Sequence, residues 1–274
     1  MSVQDKPAYT AGVGHPSRAS IAERTLRTDR WWLSPLLYVI GFTAWLVYGV
    51  VRAATQSDYW VPAYHYLTPF ASPCLTSSCA PGSSLFGTPF PDFPPLIPFA
   101  VLTLPFLLGF RLTCYYYRKA YYRAFWQSPP ACAVAEPHGK YSGETRFPLI
   151  FQNSHRYFFV AAALFNVILT WDAILGFRNA AGQWGHMGLG TLVLLANATL
   201  LWLYTASCHS CRHIMGGRLK HFSKHPVRYK AWTVVSKLNT RHMQLAWASL
   251  FGVALTDLYV WLVAANVFSD PKFF

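Results

Sequence analysis

Long apolar runs decide what this chain can become. Segments of about 18 or more residues with few charges recur along it, and each is long enough to cross a hydrocarbon core of ~30 Å at ~1.5 Å per helical residue. Only 12% of the 274 residues are charged and 53% are apolar; a soluble domain carries about twice that charged fraction, ~25%. The reading is an all-α integral membrane protein. The net charge of +13 then needs a location along the membrane rather than a nucleic-acid partner. The first thirty residues are polar and mixed in charge, without the apolar core and small-residue cleavage pattern of a secretory signal. No internal repeat is evident.

Five spans are predicted. Residues 1–30 read as a polar arm and 31–274 as a five-helix membrane anchor domain. Trp31 and Trp32 mark an interface, where indoles sit, and Ser34-Pro35 form a helix start. The segments run over about 33–52, 97–117 (with Pro105 as a kink point), 154–177 from a Ser154 cap, 187–215, and 243–268. Gly216-Gly217 stop the fourth. Basic residues segregate: the connector 212–241 holds Arg212, Arg218, Lys220, Lys224, Arg228, Lys230, Lys237 and Arg241 without an acid. The loop 118–153 holds Arg118, Lys119, Arg123, Lys140 and Arg146. The other side has only Arg52, Arg178 and Lys272. The positive-inside rule then puts the N-terminus in the cytoplasm and the C-terminus outside.

Cysteines follow this division. Cys74 and Cys79 fall in the outer loop, where a small disulfide can form. Cys114, Cys132, Cys208 and Cys211 map to the cytoplasmic side, where thiols stay reduced and bind metal. The stretch "TASCHSCRHIMGG", Thr205 to Gly217, ends a long apolar segment in a cluster of ligand-type side chains. On a regular helix Cys208 and Cys211 lie about 60° apart, His209 and His213 about 40° apart, and the two faces differ by roughly 150°. One compact site therefore cannot use all four. His155 and His242 reach the same depth from the first turns of two other segments, and Cys114 ends the second segment there.

Three metal readings fit these residues. Cys208 and Cys211 with His155 and His242 match a Rieske-type 2Fe–2S centre, two thiolates on one iron and two imidazoles on the other. A b haem would pair His155 with His209 or His213. A structural zinc would use the same Cys2His2 set. Cys114, His209 and His213 are reserve ligands. The bland reading makes the cysteines small residues at a helix contact and the histidines interfacial. Asp172 and Asp257, inside the third and fifth segments, either mark a proton route or sit near the headgroups, paired with Arg178 or neutral; a membrane-buried charge costs about 2.5–3.5 kcal/mol. The run "CYYYRKAYYRAFW", Cys114 to Trp126, reads first as an interfacial belt and second as a border for a quinone ring. "HPVRYKAWTVVSKL", His225 to Leu238, forms a short amphipathic helix that anionic lipid or a soluble partner holds.

Three longer stretches, "RLTCYYYRKAYYRAFW", "SPPACAVAEPHGKYSGETRFPLIFQNSHRYFF" and "ASCHSCRHIMGGRLKHFSKHPVRYKAW", resemble the membrane anchor subunit of actinobacterial succinate dehydrogenases, respiratory complex II of the tricarboxylic acid cycle. The similarity spans nearly the whole chain beyond the arm. The resemblance implies a multi-pass protein of the bacterial plasma membrane in a heterotrimer. A flavoprotein subunit with FAD oxidises succinate, an iron–sulfur subunit carries the electrons, and the anchor passes them to a quinone, menaquinone. It also implies an iron–sulfur centre in place of the b haems that many anchors hold between paired histidines; spacing alone is compatible with that and does not decide it. Depth and residue type put the quinone at the inner leaflet beside Tyr116, Arg156, His213 and Trp247. Two other functions stay open: a b-type cytochrome subunit of another quinone oxidoreductase, and a small transporter built on Asp172 and Asp257.

Overall fold

Most of the regular structure among the described residues is helix, as the apolar runs require. The computed structural model describes residues 27–92, 97–134, 136–137 and 146–274, with side chains from Leu149 onward in the last stretch. Most of the arm over 1–30 and part of the loop 118–153, Lys140 included, lie outside the described residues. In order the helices are α1 (Leu33–Thr55), α2 (Phe99–Leu112), α3 (Tyr115–Tyr121), α4 (Arg146–Asn153), α5 (His155–Leu175), α6 (Leu189–Ala206), α7 (His209–Gly216), α8 (Pro226–Asn239) and α9 (His242–Ala264). The strands β1 (Trp60–Val61) and β2 (Tyr66–Leu67) make a two-residue antiparallel ladder, Trp60 opposite Leu67 and Val61 opposite Tyr66. Among the described residues, α1, α5, α6 and α9 are each long and apolar enough to cross a membrane. A fifth span exists if α2 and the helical stretch 115–126 act as one broken crossing.

Two of the predicted helices are interrupted. The segment over 97–117 ends at Leu112 and resumes at Tyr115, with Cys114 extended between them (φ −65°, ψ 130°). Thr113 and Cys114 are both weak helix formers. The segment over 187–215 ends at Ala206 and restarts at His209. There the Ser207 hydroxyl donates to the Tyr204 carbonyl (2.8 Å), the local bond by which serine closes a helix. Cys208 is extended (φ −70°, ψ 148°) and caps α7. Cys208 and Cys211 therefore do not share a face of one long helix, and the angular argument that set them apart from His209 and His213 fails. The short helix expected at His225–Leu238 is α8, with Pro226 in its first turn.

The chain divides into two compact units. The first joins Met1–Ala44 to Thr113–Asn153. In it the Gln152 amide donates to the Tyr121 hydroxyl (3.0 Å), and the Arg27 guanidinium donates to the Cys132 carbonyl (2.8 Å) and pairs with Asp29. The π-helical turn Tyr122–Trp126 follows α3 directly.

The second unit joins Trp45–Leu112 to Ser154–Phe274. Here α6 packs against both α5 and α9, and α2 against α5. Close approach depends on missing side chains: the Phe158 ring occupies the place a Cβ on Gly109 would take, and the Tyr66 ring does the same at Gly190. Val61, Tyr66, Ala173, Leu194, Val260 and Val263 form the core at the hairpin end. Asp270 closes that end, accepting from Tyr66 Oη (2.9 Å), Tyr259 Oη (2.5 Å) and the Gly190 amide (2.8 Å). Outward-facing Val160, Leu164, Val167, Phe251 and Leu255 are all more than half exposed, as lipid-facing positions are. The expected Cys74–Cys79 disulfide is formed. Asp257 has a buried partner, but it is Arg52 (Nε to Oδ2, 2.7 Å) rather than Arg178, and Tyr48 Oη adds a hydrogen bond of 2.6 Å. Asp172 accepts from Ser72 Oγ at 2.5 Å.

Candidate metal centre

The break after α6 builds the site. Cys208 at the N-cap and Cys211 three residues on bracket the first turn of α7, where backbone N–H groups point outward without helical acceptors. The Ser210 amide donates to Cys208 Sγ (3.3 Å). Amides and the positive helix end would stabilise the sulfur once a metal has displaced its proton. Both side chains are buried, Cys208 1% and Cys211 6% exposed. Burial pushes the Cys211 thiol above its usual value, so a metal bound there has to displace a proton.

Two imidazoles face this turn from the first residues of α5 and α9. His155 Nε2 stands 2.9 Å from Cys208 Sγ, and its ring stacks on Phe110 (centroids 4.9 Å, planes 5° apart). His242 is buried and stacks on Tyr204 (5.2 Å), while its Nδ1 meets Ser207 Oγ at 2.7 Å. Phe110 and Tyr204 pack edge to face (5.3 Å). Arg111 lies over the other ring system, 4.8 Å from the Tyr204 centroid, and donates to Ser249 Oγ (3.3 Å) and the Ala246 carbonyl (3.4 Å). Asn239 Nδ2 holds the Ser207 carbonyl (2.7 Å).

Of the reserve ligands, His209 and His213 are exposed. Cys114 is buried in the first unit, at the cap of α3. The quinone candidates are dispersed. Tyr116 packs on Tyr117 in the first unit (5.8 Å), Arg156 is exposed over Tyr157 (5.0 Å), and half-buried Trp247 stacks on Phe251 (5.8 Å). His213 lies against Gly217. A small apolar cavity of about 60 Å³ opens behind the aromatic layer, lined among others by Phe110, Arg111, Asn166, Tyr204 and Thr205, and by none of those four. Phe110, Arg111, Tyr204 and Ser207 were not singled out from the sequence. Only the place of Ser207 next to Cys208 pointed toward it.

Among the described residues, no three His, Cys, Asp or Glu side chains converge as a single metal ion needs. The Cys2His2 zinc arrangement is thus not formed. A binuclear iron–sulfur cluster asks instead for two pairs of ligands, one per iron. The donor types match that demand: two thiols at a helix start with an N–H bond to sulfur, and two imidazoles each stacked on an aromatic ring.

The family model for actinobacterial succinate dehydrogenase subunit SdhC matches residues 33–266. The chain belongs to this family. It is a membrane anchor subunit of succinate dehydrogenase, part of an oxidoreductase complex, and a multi-pass protein of the bacterial plasma membrane. Among solved structures, it is similar to a chain of the Mycobacterium smegmatis Sdh1 complex in the apo form. The two are 61% identical with a TM-score of 0.88, over 96% of this chain and 98% of that one. Among curated proteins none matches.

Proposed function

We propose that this SdhC-family anchor takes electrons from the iron–sulfur subunit of its complex and passes them to menaquinone through a Rieske-type 2Fe–2S centre. Cys208 and Cys211 hold one iron, and His155 and His242 the other. The observation that carries this is the His155 Nε2 to Cys208 Sγ approach of 2.9 Å, between residues 53 positions apart. It favours sulfur over haem in front of that imidazole, since a haem would need a second histidine there. When bound, such a cluster supplies one-electron transfer at a potential raised by its imidazole ligands. The chain's own residues orient the two rings, shield them with Phe110 and Tyr204, and exclude water from the cysteines.

The flavoprotein and iron–sulfur subunits are the soluble partners. The basic connector 212–241, α8 included, is their platform, at a cytoplasmic end reached by the first four of five crossings from a cytoplasmic N-terminus. Lys220, Lys224 and Arg228 are exposed there, as a docking face requires. The quinone docks at the inner leaflet on the side of the metal. Iron, acid-labile sulfide and haem in the purified complex test the centre. We expect iron and sulfide beyond the partner subunit's share and a low-field paramagnetic signal that Cys208→Ser removes. Stoichiometric haem, or a signal unchanged by that substitution, overturns it. Labelling of a cysteine placed at Lys224 from the outside of intact cells overturns the topology.

A further inference from the structure

Two hydrogen bonds that the electron-transfer reading does not use determine which nitrogen His242 offers. Ser207 Oγ touches two groups, the Tyr204 carbonyl at 2.8 Å and His242 Nδ1 at 2.7 Å. A hydroxyl has one proton to give. A carbonyl oxygen can only accept, so the Ser207 proton lies on the Tyr204 side; otherwise two oxygen lone pairs would face each other at 2.8 Å. Ser207 therefore accepts from His242, and His242 carries its proton on Nδ1 and its lone pair on Nε2.

His155 presents the same nitrogen by its placement. Its Nε2 is the atom that stands at Cys208 Sγ, 2.9 Å away, with the ring held parallel to Phe110 (centroids 4.9 Å). One ring is set by its stack on Phe110 and the other by a helix-end hydroxyl at Nδ1, and in both Nε2 is the nitrogen available to a metal.

From this pair of contacts, and resting on the iron–sulfur reading above, we infer that both histidines bind the metal through Nε2, and that Ser207 is the positioning residue that fixes His242 in this tautomer. A ligand imidazole whose N–H is held by an acceptor is a stronger donor to the metal. Ser207 thereby lowers the potential of the centre. His155 is oriented by its stack on Phe110 rather than by a hydroxyl, so Ser207 is the half of the pair that a hydroxyl substitution adjusts.

The test uses the whole complex, purified from a histidine auxotroph fed histidine labelled with ¹⁵N at either Nδ1 or Nε2. Pulsed electron paramagnetic resonance of the reduced centre should show strongly coupled ¹⁵N only in the Nε2 sample. Strong coupling in the Nδ1 sample overturns the assignment. Absence of any membrane-subunit signal in the unlabelled complex is failure of the iron–sulfur reading itself, and takes this inference with it. A second arm compares Ser207→Ala with Ser207→Thr. We expect the alanine variant to shift the midpoint potential upward and alter the g-values, and threonine, which keeps the hydroxyl, to restore both. A spectrum and potential unchanged in the alanine variant overturn the role of Ser207. So does loss of the signal in both variants, because the hydroxyl is then not what matters.

Discussion

At the hairpin end of the second unit, polar groups close on one another; at the histidine end they are aimed at a sulfur atom. Arg52 and Tyr48 both end on Asp257 Oδ2 in the first region, and Tyr66, Tyr259 and the Gly190 amide all end on Asp270. A disulfide closes the adjoining loop. In the second region the contacts are a chain of supports: Asn239 on Ser207, Ser207 on His242, the Phe110 ring on His155, and His155 on Cys208. Internal pairing of the first kind stabilises a fold. Support of the second kind orients groups for something the fold does not itself contain. The two regions should thus fail differently when altered.

The largest effect belongs to the histidine end. Replacing His155 and His242 together by alanine should abolish quinone reduction and the low-field signal, with succinate oxidation by a soluble acceptor retained because that chemistry lies in the partner subunits. The matched change at the other end, His65→Ala with His186→Ala, should leave both intact. Quinone reduction at parental level in the first double variant breaks the comparison.

Next in size is Asp257→Ala. It strands the Arg52 guanidinium, whose side chain is 6% exposed, without its carboxylate. Removing one partner of a buried pair costs about 3–5 kcal/mol, while replacing both by apolar residues is often neutral. Thermal unfolding of the purified complex should show a marked loss for Asp257→Ala and recovery for Arg52→Met with Asp257→Leu. The folded fraction should keep an unaltered redox signal.

Opening the disulfide with Cys74→Ser and Cys79→Ser comes third. A loop this short is worth about 2 kcal/mol in the chain-entropy model, read in the same melting experiment, again without a change in potential. The smallest effect expected is from Arg111→Met. Arg111 reaches toward the centre through Tyr204, and a cation nearby favours the more negative, reduced form. A term of roughly 1 kcal/mol corresponds to about 40 mV in a one-electron couple, so redox titration should find the potential lowered by that order. A potential that rises instead would remove Arg111 from the electrostatics of the site.

The sequence carried the spans and the ligand letters but not the joints. Hydropathy over a long window averages across Ser207-Cys208 and Thr113-Cys114, so two interrupted helices read as continuous ones. That error then misdescribed Cys208 and Cys211, which are cap and first turn rather than neighbours on a helix face. The depth of His155 and His242 was legible because each opens an apolar run. Their partners were not, since Phe110 and Ser207 lie on other elements far along the chain and neither letter by itself marks a contact with an imidazole. Arg52 and Asp257 were visible singly. Their pairing across 205 positions was not, and the sequence suggested the nearer Arg178.

That separation matters during synthesis. Arg52 leaves the ribosome long before Asp257 does, yet in the finished protein its guanidinium is buried against that carboxylate. Until then the guanidinium has only local partners such as the Ser57 carbonyl, 2.9 Å away. Docking of the last helix to be made is therefore the event that buries this cation.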